Sequence, residues 1–319
     1  MTIILSNIAL IVCTKDRASY VQGFLEHMAL LDYLPGTICI VDSSCTDETQ
    51  KLVEGFPLDQ EDLSVNYLHT HPGAPHQKNV GLDFLMALNF SSDLEIVAFL
   101  DDDIRPKPDY FAVVDSIFKQ NELIACCGGF DQALNPPATN ILRRLFLLAG
   151  ASAGGEILPS GICTTVVPHK EIQRVDWVPG GMQSFRWDDI RSLRFNGRIR
   201  IYGDEVELQT RLKPERLVVT STRLPVIHLG ATLNKDRVRD EQAYMDGFRW
   251  FLAVDKRGGV KRFPVLLTTV ALLVSSIVLF CLGGGRKRHQ EFLGHIDFFA
   301  RLLTGREVQQ LVSPDVLSN

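Results

Sequence analysis

Short apolar runs alternate with helix-spaced apolar positions through the first 130 residues. Residues 8–13, 37–41, 63–69 and 94–100 read as strands, the last a buried run that stops at acids and prolines. Between the first two, Val21, Phe24, Leu25 and Met28 recur at helical spacing within 18–31. Residues 45–55 predict a helix begun by Thr46 or Asp47 with Glu48 in its first turn, and 76–89 predict another. This βαβαβαβ order implies an α/β fold, a mostly parallel sheet with helices on both faces. Right-handed crossovers would gather the strand ends on one edge. Those ends carry Thr14-Lys-Asp-Arg17, Asp42-Ser-Ser44, His71-Pro-Gly-Ala74 and Asp101-Asp-Asp103.

The pattern then changes. Residues 128–181 are loop-rich, with Pro136-Pro137, Gly154-Gly155 and Pro159-Ser-Gly161; loops this long usually bind something or move. Order returns at Trp177-Val-Pro-Gly-Gly181 and in a helix beginning near Asp204 within 202–212. Residues 263–285 contain 23 positions without a charge. As a helix they would reach about 34 Å, enough for a bilayer core. A buried core helix is the other reading of that run. Lys256, Arg257, Lys261 and Arg262 precede it and Arg286, Lys287 and Arg288 follow. The charge rule therefore gives no orientation, and the two basic flanks also suit a tilted or re-entrant segment. Phe292, Leu293, Ile296, Phe299, Leu302 and Leu303 then predict a second helix lying on the interface.

Composition narrows this little. The chain of 319 residues is 45% hydrophobic and 22% charged, as in ordinary globular proteins. A net charge of -5 argues against a nucleic-acid partner. Seven cysteines without a CxxC pair read as reduced, mostly buried residues of a cytosolic compartment. The N-terminus lacks a basic n-region, so a first strand is expected there rather than a signal peptide. Asn89-Phe-Ser91 matches a glycosylation sequon without meaning in a cytosolic domain.

The candidate chemistry starts from Asp101-Asp102-Asp103. Three carboxylates at a strand end repel one another and need a cation before they can be desolvated. A hard divalent ion carrying a diphosphate would meet that need; a water-exposed acidic loop is the alternative.

Taken in order, several segments resemble glycosyltransferase family 2, inverting nucleotide-sugar enzymes of the GT-A (Rossmann-like) fold. Ile11-Val-Cys-Thr-Lys-Asp-Arg17 resembles the opening strand whose end touches the donor's base. Val41-Asp-Ser-Ser-Cys-Thr-Asp-Glu-Thr49 is similar to the second-strand motif V-D-[DN]-x-S-x-D-x-T. Gly73-Ala-Pro-His-Gln-Lys-Asn-Val-Gly-Leu82 is similar to G-x-x-x-A-R-N-x-G, with Lys78 at the Arg position. Asp101–Asp103 matches the D-x-D element, and Gly180-Gly181 with 202–212 resemble the acceptor-side glycines and the E-D-x-[DE]-L helix.

The resemblance, covering roughly 6–235, implies Thr14, Asp16, Arg17, Asp42, Lys78, Asp101 and Asp102 as donor-binding residues. Asp42 can accept from the imide N–H of a uracil-like base, or be a turn aspartate. Asp103, with Asp101, would ligate Mg²⁺ or Mn²⁺ bridging the diphosphate, while Asp102 orients its neighbours. His228 is a third ligand or a histidine packed at a strand end. Lys78 is a point charge near the phosphates or a solvated side chain. Inversion needs a carboxylate base on the acceptor hydroxyl. Glu205 falls at the family's position, although Asp204-Glu205 reverses the usual acid order and also suits a plain helix start. Trp177, Trp187 and Arg186 could line an acceptor or be core.

The expectation is a catalytic domain over 1–235 and a helical region over 236–319 tethering it to the cytoplasmic face of the membrane. A UDP-, GDP- or dTDP-sugar would be the donor, and a lipid-linked or cell-envelope glycan the acceptor. A dinucleotide-dependent oxidoreductase would need G-x-G-x-x-G after strand one, where Thr14-Lys-Asp-Arg-Ala-Ser19 stands. A nucleotidyltransferase would need a glycine-rich basic loop there. A membrane-tethered nucleotide-sugar-binding protein without turnover remains as the non-catalytic class.

Overall fold

A computed structural model describes residues 4–56, 63–88, 94–134, 141–150, 154–199, 202–230, 238–283 and 285–304. The sequon Asn89-Phe-Ser91, Pro136-Pro137 and the expected boundary at 235/236 lie outside them. The chain forms two compact units, one of 1–135, 166–197 and 204–231, the other of 136–165, 198–203 and 232–319. Much of the loop-rich middle thus belongs with the C-terminal helices.

In the first unit, β1 (Ile4–Thr14), α1 (Ala18–Met28), β2 (Tyr33–Asp42), α2 (Glu48–Glu54), β3 (Ser64–His69), α3 (Ala74–Ala87) and β4 (Ile96–Leu100) follow the expected alternation. The helix expected from 45 starts at Glu48, and Asp47 at its N-cap makes no side-chain capping bond. Then come β5 (Ile104–Pro106), α4 (Tyr110–Gln120) and β6 (Ile124–Asp131). After an excursion into the second unit follow β7 (Gln173–Val175), β8 (Met182–Arg186), α6 (Trp187–Ile190), α7 (Asp204–Gln209) and β9 (Leu217–His228). Among the described residues nine strands make one sheet, ordered β3-β2-β1-β4-β8-β6-β9-β5, with β7 on β9. β3, β2, β1 and β4 are parallel, as the crossovers require. Beyond β4 the sheet is mixed: β8 is antiparallel to β4 and β6, β9 parallel to β6, and β5 antiparallel to β9.

Strand alternation divides the core into two layers. Leu10, Val12, Ile38, Ile40 and Ala98 face α1 and α4 through Phe24, Leu25, Phe111 and Val114. Ile11, Cys39, Val41, Val97 and Phe99 face the other layer, with Leu82, Leu85, Phe185, Phe195 and Leu208. Cys39, Cys126 and Cys127 are apolar filler here, and burial pushes the Cys39 thiol up to about 12.

The second unit holds α5 (Ile141–Leu145), α8 (Val238–Val254), α9 (Arg262–Cys281) and α10 (Gly285–Leu303). The uncharged run expected over 263–285 is helical as far as Cys281 and turns at Gly283. Among the described residues α9 is the one helix long and apolar enough to cross a membrane.

Phe99 meets Phe185 and Phe195 edge-on, with centroids 6.1 and 5.3 Å away, and is almost wholly buried. Phe99→Ala is expected to lower unfolding free energy by about 3–5 kcal/mol. Urea denaturation checks this as a lower midpoint at unchanged slope.

Candidate functional site

The parallel register sets Thr14 beside Asp42 and Asp42 beside His69, so the carboxyl ends of β1, β2 and β3 share one rim. β4 delivers Asp101 to the same rim, the usual location of ligands in open α/β sheets. Gln77, in the first turn of α3, ties this edge together by donating to Thr14 O at 2.8 Å and Val41 O at 2.9 Å. Sequence reasoning did not single out Gln77.

The three aspartates take different positions. Asp102 is buried and held from inside, accepting from Thr14 Oγ1 at 2.7 Å and Arg17 Nη1 at 2.8 Å. The Arg17 guanidinium also lies 3.9 Å from Asp103. Part of the cation demand of the triplet is therefore met by the protein itself. Asp101 sits against Gly181, whose carbonyl accepts the Asp101 N–H at 3.1 Å. A Cβ on Gly181 would stand 2.1 Å from Asp101 Oδ2, so only glycine permits this approach. Burial pushes the Asp101 carboxyl up, Lys78 partly offsets that, and Asp103 and Asp102 add to it by repulsion. Asp103 is buried and faces His228 across the β5–β9 pairing, with Nε2 3.4 Å from Oδ1. Leu229 N–H donates to Asp103 O at 3.0 Å and fixes that register.

Asp131, at the end of β6, lies 4.0 Å from His228 Nδ1 and was not anticipated. Its sequence signal is the same as the triplet's, an acid closing an apolar strand. Asp103 and His228 offer a hard oxygen and an imidazole nitrogen, a donor set that suits Mn²⁺ or Mg²⁺. Among the described residues no three His, Cys, Asp or Glu side chains form a metal-holding group. The Asp103–His228 pair alone would leave most of an ion's coordination shell to other oxygens.

Asp42 takes the turn-aspartate geometry, the second of its two readings. It is fully buried, accepting from Ser44 N at 2.8 Å, Ser44 Oγ at 2.5 Å and Tyr67 OH at 3.0 Å. Both carboxylate oxygens therefore already have donors within the fold. Burial, then the bond to Asp42, pushes the Tyr67 phenol up to about 12. Asp16 adopts a left-handed backbone (φ 54°), tolerable for an aspartate, and reaches the loop after β2. Its N–H donates to Ser44 Oγ at 2.7 Å and its Oδ1 accepts from Cys45 N at 3.3 Å.

The second group forms where α3 meets α7. Lys78 is buried, with Nζ 2.7 Å from Asp204 Oδ2 and 4.9 Å from the Phe195 ring centroid. The solvated reading of Lys78 is corrected, as the ammonium is paired inside the protein. Burial works against its charge, yet Asp204 and Glu205 outweigh that and raise its pKa. Burial also disfavours the Asp204 carboxylate, but Lys78 more than compensates and holds it below the usual range. Glu205 is pushed up to about 8, by burial first and Asp204 second, with Lys78 offsetting part. Gly180 borders both partners, since a Cβ there would stand 3.2 Å from Glu205 Cβ and 3.3 Å from Lys78 Nζ. Gly180 and Gly181 thus connect the two groups, one touching Glu205 and Lys78, the other Asp101.

Arg186 and Trp187 lie elsewhere. In the antiparallel β4–β8 pair Arg186 faces Ile96, at the opposite end of β4 from Asp101. Its guanidinium bonds Phe118 O at 2.9 Å and covers the Phe118 ring. The acceptor-lining reading of these two residues is therefore corrected to a structural one.

The profile of Glycosyl transferase family 2 matches residues 9–177. The chain belongs to that family. This family-2 glycosyltransferase has its Thr14, Asp42, Lys78 and Asp101–Asp103 positions inside the match, whereas Gly180, Gly181, Asp204, Glu205 and His228 lie beyond it. No curated protein matches the sequence. Among solved structures it is similar to the mannosyltransferase PcManGT from Pyrobaculum calidifontis, in complex with GDP-Man and Mn²⁺. That likeness has a TM-score of 0.57 at 15% identity, covering 94% of this chain and 88% of that one. GalNAc-T7 with UDP, GalNAc and Mn²⁺ is similar at TM-score 0.50 and 11% identity, over 77% of this chain and 50% of that one. At such identities the likeness speaks for the fold, a GT-A-type α/β sheet flanked by helices.

Removing one partner of a buried ion pair strands the other charge, whereas replacing both can be nearly neutral. Lys78→Met is expected to lower unfolding free energy by about 3–5 kcal/mol. Adding Asp204→Leu should restore most of that loss. A double-mutant cycle in urea checks the coupling.

Proposed function

We propose that the chain transfers a sugar, with inversion, from a nucleoside-diphosphate donor to a hydroxyl of a lipid-linked or cell-envelope glycan. The observation that carries the reading is Glu205, a carboxyl poised near neutrality at the glycine pair that also borders Asp101. A base acting near neutral pH needs such tuning. In the step, the acceptor oxygen bonds to the anomeric carbon as the bond from that carbon to the diphosphate oxygen breaks. The hydroxyl proton passes to the Glu205 carboxylate. Asp204, ionised and paired with Lys78, is the poorer base and acts as a positioning residue.

Asp103 and His228, with Asp101 nearby, would hold Mg²⁺ or Mn²⁺. That ion, when bound, supplies Lewis-acid stabilisation to the leaving diphosphate. Mn²⁺ in the two similar structures supports this assignment. Arg17 and Asp102 pair with each other beside Asp103. Thr14, Asp16 and Asp42 are taken as donor-side residues. For Asp42 the support is indirect, because its carboxylate orders Ser44 and Tyr67 and so shapes the rim. A UDP-, GDP- or dTDP-sugar is the donor class. Membrane association through α9 at the cytoplasmic face accompanies this reading, supported by the length and apolarity of that helix.

Glu205→Gln is expected to lower transfer by about 10²–10⁴-fold, while nucleotide-diphosphate binding, read by thermal shift, persists. Equal transfer by this variant would remove Glu205 as the base.

The Glu205 carboxyl is raised, so its basic form accumulates only as pH increases. Accordingly kcat/KM should climb with pH and level off above about 8, and Asp204→Asn should move that limb to lower pH. A pH–rate series on both proteins checks this.

Asp103→Asn is expected to abolish the Mn²⁺-dependent part of the thermal stabilisation given by the donor nucleotide. Stabilisation unchanged in the variant would rule out Asp103 as a ligand.

A further inference from the structure

Three of the four buried side chains of α9 carry hydroxyls, and its exposed side is mostly apolar. Its buried side carries Val265 with Thr268, Thr269 and Ser276, while Phe263, Val270, Val274, Ile277 and Cys281 form an exposed stripe that Val278, Leu279 and Phe280 widen in the last turn, with Ser275 the exposed hydroxyl. The five positions of the stripe lie within one narrow arc of a 3.6-residue repeat and run the full length of the helix. The inward hydroxyls are satisfied by backbone carbonyls: Thr268 bonds Phe146 O at 2.8 Å, Thr269 bonds Val265 O at 2.9 Å, and Ser276 bonds Leu272 O at 2.9 Å. A helix built for water would turn the other way. Phe263 is 73% exposed and Leu282, just past the helix, 78%.

The neighbouring helices decide how such a stripe can meet lipid. α10 lies beside α9, from the Phe280–His289 ring contact at the connecting turn to the Arg262–Trp250–Phe298 stack at the other end. It is also clamped to α8. Gly294 packs so closely that a Cβ would stand 2.6 Å from Arg239 O. Asp297 takes a forked bond from Arg239 at 2.5 and 2.8 Å. Asp246 accepts from His295 Nδ1 at 2.6 Å and pairs with Arg249, whose Nη2 reaches Thr269 of α9 at 3.1 Å. If α9 crossed a bilayer with this packing intact, α10 would be carried across with Glu291, Asp297 and Arg301 at hydrocarbon depth, a costly arrangement. Lying flat avoids that cost. It leaves Lys261 and Arg262 at one end, and Arg286, Lys287 and Arg288 at the other, level with the headgroups.

We infer that the C-terminal helical unit is an in-plane anchor. The exposed stripe of α9 sinks into one leaflet of a bilayer, and the basic residues at both ends bind its anionic headgroups. This rests on the membrane association proposed above and adds its geometry and lipid class. Apolar burial and charge attraction act together in such anchors, and the second weakens with salt.

Two measurements on the full chain test it. The first is co-sedimentation with vesicles of phosphatidylcholine alone or with about a third phosphatidylglycerol. Binding should favour the anionic vesicles and fall at high salt. Val274→Glu with Ile277→Glu, at exposed positions, should weaken binding at least about tenfold while leaving nucleotide thermal shifts unchanged. Loss of binding with transfer to a soluble acceptor retained would separate the anchor from the catalytic reading. The second uses inverted membrane vesicles from expressing cells, carrying Lys261→Cys or Lys287→Cys and an impermeant maleimide read by peptide mass. Both sites should label from outside. Protection of position 287 until detergent is added would mean that α9 spans, and would overturn the proposal. So would absence of vesicle binding, or a lipid-free dimer in ultracentrifugation that the double substitution dissociates.

Discussion

The buried contact between Lys78 and Asp204 is the constraint on which the candidate site depends. It joins the second turn of α3 to the start of α7 through two residues 126 apart in the chain. Taking both charges out of water is costly, so the pair is weak evidence for stability. Its consequence is electrostatic. Asp204 is held ionised, and burial first, then that negative charge, keeps Glu205 from ionising easily. Lys78 limits how far that goes, leaving the Glu205 carboxyl titrating near neutrality. Two adjacent buried acids of similar intrinsic strength thus acquire opposite tendencies because it is Asp204 that bonds the ammonium, the separation on which acid–base assignments rest.

The acid triplet obeys the same logic by a different route. Three adjacent carboxylates on a strand end could not all be desolvated as equals. The fold divides them: Asp102 turns inward to Thr14 and Arg17, Asp101 rests against the Gly181 backbone, and Asp103 faces His228. Arg17 offsets the inner charge, so the outer part of the triplet can serve a cation. A tight turn between β4 and β5, closed by the Ile104 N–H donating to Asp101 O at 3.0 Å, separates these neighbours in sequence into different surroundings.

How much of this was readable beforehand follows from the range of each interaction. The strands ending at Thr14, Asp42, His69 and Leu100 were legible because each is a short apolar run, and parallel order then puts their ends together. The same rule found the rim but not its internal bonding. Asp42 looked available to a base because nothing nearby in sequence announces Tyr67, which arrives from the neighbouring strand. Lys78 read as a charge near the phosphates or a solvated side chain because its partner Asp204, packed on the same face of the sheet, is 126 residues away in the chain. Arg186 and Trp187 were open between an acceptor and a core reading, and strand direction decides for the second. β8 runs antiparallel to β4, so five residues carry the chain from the Asp101 end to the Ile96 end. Strand direction beyond β4 was the one piece of topology that periodicity could not supply, and these two side chains turned on it.

The C-terminal unit shows the same limit in another form. Hydropathy along 263–285 measured how apolar the helix is, not which side faces out. The inward Thr268, Thr269 and Ser276 could not be distinguished from outward ones until the packing of α8 and α10 was known. Once it is, the interior of this unit proves unusually polar, with Asp246, Arg249, His295 and Thr269 joined in one buried network. Such a network specifies which helices pair and in what register more than it stabilises them. Apolar residues left outside by that choice need a partner of low polarity, and the basic residues at both ends of α9 restrict what that partner can be. A surface joining hydrocarbon to anionic groups meets both conditions, whereas a purely apolar protein face would offer no counter-charge to the basic residues at either end.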